Sequence, residues 1–281
     1  MRSALPACDP DDYAAVHAAA QVTSKQLETR ALTARLAVVC GSPDTKPRST
    51  LVLMANEVMD WDSVYRQDGG FDAPPPWNIG EPQPELAALL RAGKFRSDVL
   101  DAGCGYAELS LALAAEGYTV VGVDLTPTAV AAANKAAQER GLRDASFEEA
   151  DITSFSGHDG RFNTVVDSTL FHSLPVEDRD AYLRSVHRAA AAGASYYVLV
   201  FAKGAFPDGL ETKPNEVDED ELRAAVSQVW EIDEVRPAYI HAHSPAVPNA
   251  GGPAVEFPPH PKDEQGRVKM PAYLLSAHKA S

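Results

Sequence analysis

From Asp98 onward the chain alternates short apolar runs with longer helix-like runs, and this alternation does most to narrow the folds open to it. "DVLDA" leads into a glycine-rich turn, "GCGYA", followed by "ELSLALAAEG", whose Gly117 suits a helix C-terminus. "TVVGVD" repeats the pattern with "TPTAVAAANKAAQERG" as its helix, opened by Thr126 and Pro127 and stopped at Gly141. "ASFEEA" and "FNTVVDSTL" predict a third and a fourth strand, and "VEDRDAYLRSVHRAAAAG" a helix over 176–193. "SYYVLVFA" is apolar enough for burial on both faces. The helical "EDELRAAVSQVW" precedes two further strand-like stretches, "EIDEVRPAYIHAHS" and "PAYLLSAHKA", which are separated by a Pro- and Gly-rich stretch over 245–266. The pattern predicts an α/β, Rossmann-like doubly wound sheet of seven strands, mostly parallel, with an antiparallel C-terminal hairpin strand.

Composition limits the partners. A formal net charge of −15 over 281 residues disfavours nucleic acid and anionic lipid surfaces. Cys8, Cys40 and Cys104 show no C-x-x-C pair and no metal-like spacing with histidines, so no metal site is expected and a reduced, cytoplasmic setting fits best. No apolar run approaches the roughly 20 residues of a membrane span. Residues 1–53 are Ala-rich, weakly helical and without recognisable chemistry, which predicts an N-terminal extension ahead of one main domain over 54–281. Nothing in the sequence chooses between a monomer and a homodimer.

The turn Gly103, Cys104, Gly105, Tyr106, Ala107, Glu108 lies where a strand feeds a helix, at the sheet edge that binds ligands in open α/β folds. A dinucleotide fingerprint would end in a small residue, and here the sixth position is a glutamate where pyrophosphate would lie. No tyrosine has a lysine four residues later, so a nicotinamide oxidoreductase is disfavoured on both counts. Asp101, two residues before the first glycine, suits the ammonium of an amino-acid-bearing cofactor instead. Asp124, ending the second strand, is placed to accept from ribose hydroxyls. The plainer alternative is that the glycines only turn the chain and the acids only cap helices.

"VLDAGCGYA", "VVGVDLTPTAV", "EEADITSF" and "FNTVVDSTLFHSL" together resemble the successive motifs of class I S-adenosylmethionine-dependent methyltransferases. The resemblance implies S-adenosylmethionine as cofactor. Asp101, Gly103 and Gly105 would border its methionine, Asp124 with Leu125 its ribose, and Asp151 with Ile152 its adenine. Ala107 stands where many members have a third glycine, a small-for-small change. Upstream, "DWDSVYRQDGGFDAPPPWNIGEPQPELAALL" resembles the N-terminal lid of small-molecule methyltransferases related to the thiopurine and thiol enzymes, which places a lid over 59–84. There Trp61, Tyr65 and Trp77 offer aromatic faces to the sulfonium.

"PPPWNIGEPQPELAALL", "DSTLFHSLPVEDRDAYL" and the closing "YLLSAHKA" are similar, within a likeness over nearly all of 59–281, to bacterial heterocyclic-toxin methyltransferases, whose members detoxify 2-heptyl-1-hydroxyquinolin-4(1H)-one by O-methylating its N-hydroxyl. The resemblance implies a small heterocyclic substrate and a detoxifying role. Thiol or thiopurine S-methylation and a non-catalytic cofactor-binding module remain as alternatives. Methyl transfer needs alignment and exclusion of water, plus a base only if the nucleophile arrives protonated. His172, after the fourth strand, is the expected base, with a backbone-bonding, pocket-shaping histidine as its alternative. Asp167 is expected to orient cofactor or loop, and Leu170, Phe171 and Phe206 to shape the substrate site. A truncation beginning at Met54 should keep both solubility and cofactor affinity, measured by sedimentation and calorimetry against the full chain.

Overall fold

The computed structural model describes residues 61–66, 74–207, 213–243 and 259–281, all within one unit spanning 56–281. The predicted extension over 1–53 and most of the Pro- and Gly-rich stretch lie outside the described residues. The chain order runs α1 (Trp61–Arg66), α2 (Pro84–Arg91), β1 (Val99–Ala102), α3 (Glu108–Ala115), β2 (Val120–Asp124), α4 (Pro127–Glu139) and β3 (Ala145–Glu149). It continues with β4 (Phe162–Ser168), α5 (Arg179–Ala189), β5 (Ala190–Phe201), α6 (Glu219–Val226), β6 (Glu231–Ala242) and β7 (Val268–His278). No described helix is long and apolar enough to cross a membrane.

The seven strands form one sheet in the order β3-β2-β1-β4-β5-β7-β6. Strands β1 to β5 are mutually parallel, and β7 runs antiparallel between β5 and β6. β1 and β2 are buried at every position, as a sheet covered on both faces requires. Successive residues serve opposite layers. Leu100, Val165 and Val198 join one apolar cluster with Phe155, Tyr182 and Trp230, while Val99, Val166 and Leu199 join another with Leu86, Leu113 and Ile240. In α4 the buried residues are Ala129, Ala133 and Ala137, four apart on one face, and small side chains there let the helix approach β2 and β3 closely. Asp218 and Glu221 close a capping box at the start of α6.

One element differs from expectation. The helix predicted over 176–193 is a 3₁₀ turn at Val176–Asp178 followed by α5, and it stops at Ala189. Ala190 already pairs with Phe162 in β5, and Gly193 takes a φ of +68°. Four alanines before a glycine read as helix locally, but the free edge of β4 offers backbone partners that override that weak preference.

The strand order reverses between β1 and β4, so the crevice for a ligand opens at the carboxyl ends of those two strands. Behind it the packing leaves no slack: a Cβ placed on Gly122 of β2 would lie 2.6 Å from the Phe147 ring and 2.9 Å from Cys104 Sγ. Gly122→Ala is therefore expected to destabilise the fold by about 1–3 kcal/mol through overpacking, read as a lower urea midpoint at an unchanged m-value.

Candidate active site

The glycine turn is pinned to β2 from three directions. Gly103 N and Cys104 N both donate to Val123 O, at 2.8 and 3.0 Å, and Gly105 N donates to Asp124 Oδ2 at 2.9 Å. The other Asp124 oxygen accepts from Thr126 N (2.9 Å) and Thr126 Oγ1 (2.8 Å) at the head of α4. Gly103 and Gly105 have φ of +70° and +52°, where side chains are disfavoured; a Cβ would meet Leu170 at 2.9 Å and the Tyr65 hydroxyl at 2.6 Å, respectively. Ala107 also has a positive φ, +63°, so the third small position is one that glycine would fill with less strain, not a neutral exchange.

The turn residues Gly103, Cys104, Gly105 and Ala107 line an open cleft, while Asp124, Leu125, Asp151 and Leu170 are not among its lining residues. The cleft is also lined by Asp101, the first residues of α3, Tyr65, Trp77, Asn78, Glu81, Pro82 and Gln83 around the start of α2, and Ser168 and Thr169 at the end of β4. Asp101 is buried; Ser110 Oγ donates to its Oδ2 at 2.7 Å, and its Oδ1 has no hydrogen-bond partner among the described residues. Burial pushes this carboxyl up to about 6; the Ser110 bond opposes the rise and the nearby Asp124 charge adds to it. Glu108, the residue weighed against a pyrophosphate, sits at the first position of α3 and pairs with Arg140 at 3.5 Å.

The segment expected to be a lid brings Tyr65 and Trp77 into the cleft. Trp61 packs edge-on against Trp77, ring centres 6.0 Å apart, and does not itself line the cleft. Asp62 Oδ1 accepts from Thr128 N at 3.2 Å, which docks α1 on the first turn of α4. Leu125 is 62% exposed beside Asp124, an apolar side chain without cover. Asp151 Oδ1 accepts from Thr153 N (2.9 Å) and Thr153 Oγ1 (2.6 Å) in the turn after β3.

Four expectations are corrected here. Asp167 does not reach the cleft: its Oδ1 accepts from Leu170 N (2.8 Å) and Phe171 N (3.3 Å), and its Oδ2 from the Tyr182 hydroxyl (2.7 Å), which in turn accepts from the Tyr196 hydroxyl (3.0 Å). It orients the loop after β4, not the cofactor. Phe171 is fully buried in the core under the Arg179 guanidinium, 4.6 Å from its ring centre, and so cannot shape a substrate site. Ile152 is likewise a core residue, which leaves Asp151 as the accessible member of that motif. His172 is buried, packs on Phe201 at 4.5 Å, and accepts from Phe201 N through Nδ1 at 3.1 Å. Burial, aided by the Arg179 charge, lowers its pKa to about 3, so it is the backbone-bonding histidine and not a base for neutral pH. Leu170 packs against Gly103, and Phe206 stands edge-on to Phe201 at 4.8 Å.

Sequence reasoning missed Ser110, Gln83, Tyr182 and Tyr196. A serine on the buried side of the otherwise apolar "ELSLAL" was the available signal for Ser110. The tyrosines looked like ordinary core.

Residues 99–193 match the family model of a methyltransferase domain. Over 221 residues the chain is 49% identical to the 2-heptyl-1-hydroxyquinolin-4(1H)-one methyltransferase of Mycobacteroides abscessus, covering 78% of this chain and 96% of that protein. The chain belongs to the S-adenosylmethionine-dependent methyltransferases. A solved structure concerned with conversion of a disulfide bond into a thioacetal group during echinomycin biosynthesis superposes on the enzyme with a TM-score of 0.66 at 32% identity, covering 78% of this chain and 91% of that one. An S-adenosylmethionine-dependent methyltransferase from Anabaena variabilis shares the fold at a TM-score of 0.57 and 15% identity, covering 78% of this chain and 93% of its own.

The cleft fits this cofactor. A buried carboxylate oxygen without a hydrogen-bond partner among the described residues, in a cleft lined by the glycine turn, suits an ammonium group.

Asp167 gives a pH prediction. Burial raises its folded pKa to about 7, against Tyr182, Leu170 and Phe171 bonds that lower it, from an unfolded value near 4. A raised acid contributes stability that is complete below the unfolded pKa and lost as pH rises through the folded one. The urea midpoint of the Asp167→Asn enzyme should therefore fall less than that of the wild type between pH 4.5 and 7.5. Asp101, shifted in the same direction, keeps some slope in the variant.

Proposed function

We propose that the enzyme transfers a methyl group from S-adenosylmethionine to the N-hydroxyl of a hydroxyquinolone-type heterocycle, and so detoxifies it in the cytoplasm. The observation that carries this reading is the 49% identity, over nearly the whole length of the relative, to a protein named for that substrate. In this reading residues 54–281 are the methyltransferase domain, with a lid at 59–84, and residues 1–53 are an appended extension. The few cysteines support a reducing compartment.

When bound, the cofactor supplies a methyl group already activated by a positively charged sulfur. The chain's part is to bind, align and exclude water. Asp101 Oδ1 would accept from the ammonium, held in place by Ser110. Asp124 Oδ2 accepts only from Gly105 N and would take a ribose hydroxyl on its remaining lone pair, with Leu125 beside it and Asp151 along the adenine. Tyr65 and Trp77 would close over the sulfur region as aromatic faces. His172 ties the end of β5 to the loop that carries Thr169 and Leu170, a positioning role that needs no change of protonation.

The test is mass spectrometry of the enzyme with S-adenosylmethionine and 2-heptyl-1-hydroxyquinolin-4(1H)-one. A methyl mass gain on the quinolone with equal S-adenosylhomocysteine is expected; transfer only to thiols would replace the reading with S-methylation, and cofactor binding without turnover on either would overturn it. His172→Ala should lower kcat by about ten- to a hundredfold through misplacement, by the same factor at every pH from 6 to 9. A loss that shrinks as pH rises would reinstate the histidine as base.

A further inference from the structure

The cleft wall at Trp77–Gln83 is held from outside by a cluster that the reading above leaves unused. Gln83 is buried and acts as a substitute strand partner at the end of β6. Its Nε2 donates to His241 O (2.9 Å) and to Trp77 O (3.0 Å), and its Oε1 accepts from His241 N (2.8 Å). His243 N adds a bond to Pro76 O at 2.8 Å. The wall thus hangs on residues about 160 positions further along the chain, matching the separation of 158 between Gln83 and His241.

A second anchor lies beside the first. Arg267, buried immediately before β7, donates through Nε to Asp263 Oδ2 at 2.6 Å and through its backbone N to Asp263 Oδ1 at 2.8 Å. The far end of the same guanidinium pairs with Glu81 of the wall. His241 Nδ1 lies 2.8 Å from Asp263 Oδ2, so the residue clasped by Gln83 is also tied to the carboxylate that Arg267 holds. Desolvation works against the Asp263 charge, and the donors from Arg267 and His241 outweigh it, holding the carboxyl well below the usual carboxylate range. A planar guanidinium can address two carboxylates in different directions at once, which an ammonium does less well.

We propose that Arg267 is a positioning residue for the cofactor. Directly through Glu81, and through Asp263 and His241 to Gln83, it holds in place the Trp77–Gln83 wall of the cleft that the glycine turn also lines, and so sets the affinity for S-adenosylmethionine. The proposal rests on the assignment of that cleft to the cofactor. Removing the guanidinium would release Glu81 and leave the Asp263 carboxylate partly buried with one donor side chain fewer, so the wall loses its second anchor and is left hanging on the Gln83 and His243 bonds alone.

Arg267→Met keeps the stem of the side chain and removes its charge. In the full-length enzyme, amide hydrogen exchange over residues 77–83 and at His241 should quicken by about tenfold while exchange in β1 and β4 is unchanged. Calorimetry should show the Kd for S-adenosylmethionine rising by about tenfold, as loss of one member of a buried charged cluster does. If that variant does not fold, Arg267→Lys, which retains charge without the two-directional fork, should move both quantities the same way by about threefold. Lys203→Met, which breaks ion pairs with Asp218 and Glu221, should change neither. Unchanged exchange in the wall overturns the proposal, and so does a loosened wall with an unchanged Kd. Failure of the underlying cofactor assignment has a different signature: Asp101→Asn would then bind S-adenosylmethionine as well as the wild type does.

Discussion

The site depends on one carboxylate that faces two ways. Asp124 ends β2, and its two oxygens accept from the glycine turn after β1 and from the first residues of α4. A short acceptor between two sets of backbone N–H groups fixes the first two βα connections relative to each other, and with them the floor of the cleft. The turn could not hold this shape with larger residues, because Gly103 and Gly105 sit at positive φ with Leu170 and Tyr65 where a Cβ would go. Tyr65 of α1 and Leu170 of the loop after β4 therefore meet at the turn.

Two further acids are buried in the same region, and they divide the tasks. Asp167 has both oxygens partnered by the chain: two backbone N–H groups on one and the Tyr182 hydroxyl on the other hold the loop that carries Thr169 and Leu170. Asp101 has Ser110 on one oxygen and, among the described residues, nothing on the other. A fully satisfied buried acid is architecture; a buried acid with an orphaned oxygen at the cleft is poised for a cationic partner, at a cost that folding alone does not recover. The same comparison removes His172 from the chemistry, since its δ nitrogen is occupied by a backbone donor and its burial keeps it neutral.

Much of this was legible in the sequence. Asp101, Gly103, Gly105 and Asp124 could be assigned from strand–turn–helix order, because local backbone geometry and the edge of a parallel sheet restrict what such residues do. Ala107 carries more strain than a small-for-small change suggests, since residue type does not reveal the sign of φ. Phe171, Ile152 and Asp167 sit in the right motifs yet face the core, where one residue of offset after a strand end decides between cleft and interior. "AAAAG" after α5 read as helix because alanine prefers it, and became strand because β4 had an unpaired edge.

The sequence alone therefore determined the layered fold and the glycine turn with its flanking acids, since each rests on short-range pattern (periodicity, turn chemistry and charge at a strand end), while the cofactor followed from the resemblance of its motifs to a known family. Only the tertiary structure decided which acid keeps a free oxygen, which histidine is buried, and how the wall of the cleft is suspended. Those outcomes depend on contacts such as Ser110 with Asp101, Gln83 with His241 and Glu81 with Arg267, the last two joining residues 158 and 186 positions apart. Pairings over such separations leave no local signature, because their energy comes from desolvation and hydrogen-bond geometry that exist only once the chain is folded.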